Sequence, residues 1–360
     1  MINMLKMVQE LAAASLRWQT LALGLSVGVS ALNAQAVAVE EVDEKKPLYA
    51  YYYSITDPFI NNFNSILERI GAENGYQLTY INGSDNSLLQ RSQLRECFDA
   101  KRSLILNLVD THYAKETIEQ LRSYGGRVVF FNRIPENSTV TDYPRAFYVG
   151  TDPLQAGVMQ GEMVAEFFKA HPEYDKNHNG RIDLVLIKGE AIHQDTDARS
   201  KQALNTLASH GIEFNNLQSI YADWNYLKAR TSLKRVVERE GIENIELVLC
   251  NNDSMALGAI NALQSLGYNK GEPSRYVPVF GIDALPAALA AIDNGMLTGT
   301  VKTDMELMVS TIFKLLTSTS DDHEQLEKLI GLEIINGYVN IPFSKVLAEF
   351  PPARQKTQDQ

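Results

Sequence analysis

At 360 residues the chain is long enough for two domains of ordinary size, and 45% hydrophobic with 21% charged residues is the composition of a soluble globular protein. A formal net charge of -11, with no basic run and no interleaving of basic and aromatic residues, argues against nucleic acid or an anionic membrane as partner. Cys97 and Cys250 lie in segments that read as core elements of different domains, so two buried free thiols are expected rather than a disulfide.

The chain opens on Lys6 and Arg17, an apolar stretch from Leu21 to Ala31, and small residues ending Ala34-Gln-Ala36. That is the pattern of a secretory signal, residues 1–36, cleaved after about Ala36. The apolar stretch is too short to span a bilayer comfortably, and no cysteine follows it to carry a lipid. Residues 37–46 read as a charged, mobile new N-terminus of a protein free in an exported compartment.

From Pro47 strand and helix patterns alternate. Strands are expected at Leu48 to Tyr53, Tyr76 to Ile81, Ser103 to Val109, Arg127 to Phe131 and Ala146 to Val149, with helices at Pro58 to Gly71 and about Ser87 to Lys101, and a third that follows the Ser103 strand and ends at Tyr124. The pattern restarts with a helix over 154–170 and a strand over 182–187. It continues with helix 196–210, strand 217–221, helix 225–239, strand 246–250 and helix 254–266. A strand from Val277 to Gly281 and a helix from Pro286 to Asn294 follow. Short apolar strands between amphipathic helices mean right-handed βαβ units and parallel sheets, here in two similar Rossmann-like α/β lobes.

Two pieces of chemistry adjoin one another between Asp175 and Arg199. In Asp175-Lys-Asn177-His-Asn179-Gly180-Arg181-Ile182-Asp183, oxygen side chains fall at positions 1, 3, 5 and 9 of an EF-hand-like loop, with the turn glycine at 6. Arg181 at position 7 would give its backbone carbonyl. Position 12 is Leu186, inside an apolar strand, so the closing carboxylate must come from elsewhere. The segment His193-Gln-Asp195-Thr-Asp197-Ala-Arg199 follows where a strand gives way to a helix, as ligand sites in open α/β sheets do. Asp57, Asn132, Asn252 and Asp283 recur at other strand ends. Any one of them alone reads as a helix cap, but together, from both halves, they suggest a shared cleft. Phe59 and Trp224 would add flat apolar faces to the planar polar groups, the combination a sugar ring needs.

Val128-Val-Phe-Phe-Asn132, Tyr148-Val-Gly-Thr-Asp152, Lys188-Gly-Glu190, Asn251-Asn-Asp-Ser-Met255 and Val279-Phe-Gly-Ile-Asp-Ala-Leu-Pro286 give the chain a resemblance to the periplasmic galactose/glucose-binding proteins over almost its whole exported length. The resemblance implies a type I periplasmic binding protein fold. Its first lobe would be 47–150 plus 303–338 and its second 151–302 plus 339–360, joined by a three-segment hinge. It implies that Asp57, Asn132, Asp195, Arg199, Asn252 and Asp283 hold ring hydroxyls, that His193 serves the exocyclic hydroxyl, and that Phe59 and Trp224 sandwich the ring. It also implies that Glu246 completes a structural Ca2+ site with Asp175, Asn177, Asn179, Arg181 and Asp183, magnesium being the alternative ion. Thr303 stands where the family carries a sugar-touching asparagine, which puts one hydroxyl contact and the sugar preference in question.

The function implied is a monomeric periplasmic receptor that captures D-galactose or D-glucose and presents it to an ABC permease, with a chemoreceptor as a second candidate partner. A glycosidase is the competing class, since Asp57 and Asp195 could serve as paired carboxylates. Arg199 and His193 beside them favour ionised carboxylates, which suits binding better than proton donation. A sugar-responsive repressor would need a DNA-binding helix pair where this chain has its leader.

Overall fold

A computed structural model describes residues 45–135 and 139–349. The expected signal peptide and nearly all of the expected mobile N-terminus lie outside them.

The first lobe begins with β1 (Lys46–Tyr52), α1 (Pro58–Glu73), β2 (Tyr76–Asn82), α2 (Ser87–Asp99), β3 (Leu104–Leu106), α3 (Ala114–Tyr124), β4 (Val128–Phe131) and β5 (Ala146–Gly150). β1 starts inside the segment expected to be mobile, because Lys46 already pairs with Tyr76 and its N–H donates to the Gly75 carbonyl. The second lobe runs α4 (Pro153–Ala170), β6 (Ile182–Lys188), α5 (Gln194–Ser209), β7 (Phe214–Tyr221), α6 (Tyr226–Glu240), β8 (Leu247–Cys250), α7 (Asp253–Ser265), β9 (Val279–Asp283), α8 (Pro286–Asp293) and β10 (Gly299–Thr303).

The chain then recrosses. α9 (Met305–Thr317) and α10 (His323–Ile330), which hydropathy did not bring out in the sequence, return to the first lobe. Asp304 caps α9 by accepting the Leu307 N–H, and Met305, Met308, Val309, Ile312 and Phe313 enter the core that holds Phe63, Phe131 and Val149. β11 (Tyr338–Asn340) pairs in parallel with β5, so the first lobe reaches residue 340. β12 (Phe343–Leu347), also not foreseen, pairs antiparallel to β10 at the edge of the second sheet.

Two six-stranded sheets result, in the orders β11-β5-β4-β3-β1-β2 and β12-β10-β9-β8-β6-β7, parallel throughout except for β12. Val128-Val-Phe-Phe131 and Leu247-Val-Leu-Cys250 are buried at every position, as central strands covered by helices on both faces require. Cys97 and Cys250 are buried free thiols. The chain passes between the sheets at 150–153, 303–305 and 340–343. The carboxyl ends of β1 and β4 in one lobe and of β6, β8, β9 and β10 in the other therefore face a common cleft.

Candidate functional site

Asp57, Phe59, Asn132, His193, Asp195, Arg199, Trp224, Asn252, Asp283 and Thr303 line one cavity between the lobes. The structure brings every sugar-binding candidate together. It adds Tyr53, Arg133, Tyr148 and Met308, which sequence reasoning did not select. Arg133 directly follows Asn132, and Tyr148 sits in a motif already singled out, so a signal for each was present. Met308 lies on α9, and its only signal was the unread amphipathic period.

Several of these side chains are helix caps as well as cavity walls. Asp57 caps α1 with Oδ1, which accepts the Phe59 N–H at 2.8 Å, while Oδ2 accepts the Tyr53 hydroxyl. Asn252 caps α7 through Oδ1, accepting from Met255 N at 3.0 Å, which leaves Nδ2 as a donor for a ligand. His193 caps α5 through Nδ1, accepting from Asp195 N at 3.2 Å, so its neutral ring carries the proton on Nε2. A planar side chain with two polar atoms can close a helix with one and serve the cleft with the other.

The backbone is bent to aim these groups. Asn132, Trp224 and Asp283 have φ of 62°, 60° and 117°, conformations that cost free energy outside glycine and persist where surroundings enforce them. At Asn132 the enforcement is visible: its carbonyl accepts the Tyr148 hydroxyl at 3.2 Å, and its Oδ1 accepts Asn107 Nδ2 at 3.2 Å. Its Nδ2 is thereby left as the available donor.

Arg199 is the electrostatic centre of the second lobe's wall. Only 7% exposed, it donates from Nη1 to the Asn251 carbonyl and from Nη2 to Asp195 Oδ2, both at 2.8 Å, with Asp283 Oδ1 at 3.8 Å. Its guanidinium also lies 5.8 Å from the Trp224 ring centroid, and the His193 ring meets the same indole edge-on at 5.1 Å. Burial pushes the Asp57 and Asp283 carboxyls above the usual range, opposed at Asp283 by Arg199 and at Asp57 by the Tyr53 hydroxyl. With Asp57, Asp195 and Asp283 set against Arg199 and Arg133, the cavity is rich in acceptors. It suits a neutral ligand that brings hydroxyl donors, and it disfavours an anion.

Burial holds the His193 imidazole down, to about 4. The unfolded chain therefore takes up this proton first as the medium is acidified. Stability supplied by the neutral ring is complete above about pH 6.5 and fades as pH falls towards 4, by about 3 kcal/mol in all. His193→Asn should remove that component. Urea unfolding of both proteins at pH 7 and pH 4.5 should show a smaller loss on acidification for the variant, and equal losses would contradict this assignment.

Glu246 meets the loop at 175–183 from below. Glu246 is fully buried beneath it and accepts backbone N–H groups: Oε1 from Lys176 at 2.6 Å and Asn177 at 3.3 Å, Oε2 from Asp183 at 2.9 Å. Asp175 accepts from Asn179 N and Gly180 N, and Asp183 from the side-chain amides of Asn177 and Asn215. Asn177 Oδ1 and Asn179 Oδ1 take the N–H groups of Asn179 and Arg181. Arg181 turns its side chain to Glu213. Among the described residues no cluster of three His, Cys, Asp or Glu side chains could hold a metal ion. Thermal unfolding in EDTA and in millimolar calcium tests the expected cation, and equal Tm values would contradict it. A calcium-dependent rise of several degrees would instead show a cation bound to the folded loop.

Two α/β lobes meet over one cavity of buried carboxylates, amides and aromatics. Residues 50–322 match the periplasmic binding protein domain, and the chain belongs to that family. It is 37% identical over 203 residues to the D-galactose/methyl-galactoside binding periplasmic protein MglB of Haemophilus influenzae, a match covering 56% of this chain and 59% of that protein, less than two thirds of its length. It is 26% identical over 270 residues to the ribose import binding protein RbsB of Bacillus subtilis, covering 75% and 78%. A Bacillus halodurans ABC transporter solute binding protein with bound myo-inositol superposes with a TM-score of 0.66 at 22% identity, over 85% of this chain and 96% of that one. An Actinobacillus succinogenes solute binding protein with bound D-allose gives 0.68 at 16%, over 85% and 98%. These two share the fold. The family is one of substrate-binding proteins rather than enzymes.

Proposed function

We propose that this protein is a periplasmic receptor that captures a monosaccharide, D-galactose or D-glucose, between its lobes and delivers it to an ABC sugar importer. The observation that carries the reading is the cavity itself. Acceptor-rich Asp57, Asp195 and Asp283, the amides of Asn132 and Asn252, and the aromatics Phe59 and Trp224 converge on it from both lobes. Ring hydroxyls would donate to the carboxylates and accept from the amides, from Arg199 and from His193 Nε2. The apolar C–H faces of the ring would lie on the aromatic side chains. The MglB similarity favours galactose among the sugars. A chemoreceptor is a second candidate reader of the closed form.

A second reading keeps the receptor and changes the sugar. Thr303 and Met308 both line the cavity, and together they make a shorter and more apolar wall than an asparagine would. One ring position there would then carry a hydrogen or methyl group in place of a hydroxyl.

Isothermal titration with a panel of hexoses, pentoses and deoxyhexoses tests both, after bound sugar has been removed by unfolding and refolding. Micromolar or tighter binding of galactose or glucose supports the first reading. Tighter binding of a deoxy sugar, reversed towards the parent hexose by Thr303→Asn, supports the second. Silence towards every sugar would sink both.

A further inference from the structure

The motif Lys188-Gly-Glu190 contributes nothing to the cavity wall through its carboxylate, yet Glu190 is held in the cleft. It stands just beyond β6 of the second lobe, and Arg133 stands just beyond β4 of the first. Arg133 Nη2 donates to both Glu190 oxygens, at 3.1 and 3.3 Å, and the two side chains are only 12% and 27% exposed. The guanidinium is fixed on its own side as well. It lies over the Tyr53 ring at 4.0 Å, and Nη1 donates to the Val109 carbonyl at 3.2 Å. Tyr53 in turn donates its hydroxyl to Asp57 Oδ2. A continuous chain therefore runs from Glu190 in one lobe through Arg133 and Tyr53 to a carboxylate of the ligand cavity in the other.

The surroundings make this pair one-directional. Glu190 has Asp223 near it in its own lobe and Asp85 near it from the first, and both acids oppose its charge while Arg133 favours it. Lys228 is engaged with Asp223 at 2.7 Å. Closing the cleft without Arg133 would press Glu190 towards Asp85; closing it with Arg133 replaces that repulsion by a partly desolvated ion pair. Surface grooves lie on either side. One is lined by Arg133, Glu190 and His193, the other by Tyr53, Glu190 and Trp224, so the pair bridges the mouth between two approaches to the site. The ion pairs of Arg69, Arg127, Arg145 and Lys345 each stay within one lobe and cannot respond to closure in this way.

We propose that Arg133 and Glu190 form a cross-cleft latch that sets how long a captured ligand is held. Glu190 acts as a positioning residue on the closed state and makes no contact with the ligand. The inference rests on the cleft being a ligand-capture site. Trp224, a cavity wall, supplies the fluorescence signal for stopped-flow measurement with whichever sugar the titration panel identifies. Glu190→Gln should raise the dissociation rate about tenfold, with an association rate and Tm close to those of the parent protein. Glu190→Arg, which sets like charges face to face, should raise it further. Dissociation from the parent should quicken with added salt, and the salt response should be lost in Glu190→Gln. An unchanged dissociation rate and salt response in Glu190→Gln would overturn the latch while leaving the sugar-binding proposal intact. If no sugar binds the parent protein, the latch is judged by small-angle scattering of the free proteins. A larger mean radius for Glu190→Arg than for the parent supports it, and equal radii overturn it.

Discussion

Arg199→Met is expected to abolish measurable sugar binding and to lower the unfolding free energy by about 3–5 kcal/mol, the cost of leaving buried charges without their partner. The guanidinium is the cation that Asp195 touches and Asp283 faces, and it also satisfies the Asn251 carbonyl. Methionine approximates its length but supplies no donor, so two carboxylates and a carbonyl would stay buried with less compensation. Lysine keeps the charge but not the planar fork, and Arg199→Lys should fall between the two. Adding Asp195→Asn to Arg199→Met should recover part of the stability and none of the binding, because the amide removes an unpaired charge without rebuilding the wall. Urea unfolding with isothermal titration checks this, and a stable Arg199→Met protein would contradict it.

Gly189→Ala is expected to weaken sugar binding about 30–100-fold, about 2–3 kcal/mol, with little change in Tm. A Cβ at position 189 would overlap the six-membered ring of Trp224, and the indole has few places to go. It is flanked by the His193 ring and the Arg199 guanidinium and stands on a residue with φ of 60°. Displacing it spoils a stacking face while leaving the sheet behind it intact. Trp224→Ala should cost a similar factor. In the double variant the alanine at 189 should cost almost nothing more, since the side chain it obstructs is gone. Full additivity of the two changes would show that Gly189 acts by some other route.

The alternation of apolar strands and amphipathic helices made the α/β layering legible up to Asn294, because the central strands there are buried on both faces. The last part was harder. α9 presents Met305, Met308, Val309, Ile312 and Phe313 to the first lobe, but in sequence it follows a strand of the second, so order along the chain misdirects the reader. β12 is a short edge strand with little apolar run to announce it. The candidate site was legible where polar residues end strands. It was missed where a residue acts through a neighbour, as Arg133 does through Tyr53 and Glu190. At the loop 175–183 the spacing of oxygens was legible, while the backbone and amide donors that the same oxygens also accept from were not.

The recrossing of the chain also governs how the protein comes into being. β5 has no partner on its outer edge until Tyr338–Asn340 arrives, and the core around Phe63 and Phe131 lacks its α9 cover until Thr317 has been made. A ribosome adding about 5–20 residues per second leaves the first lobe unfinished for many seconds after its first five strands exist. During that interval an open parallel edge and an apolar face are on offer to other chains. Premature termination anywhere between Thr303 and Tyr338 would fix that exposure permanently, so fragments of this length should be prime targets for chaperone capture and proteolysis.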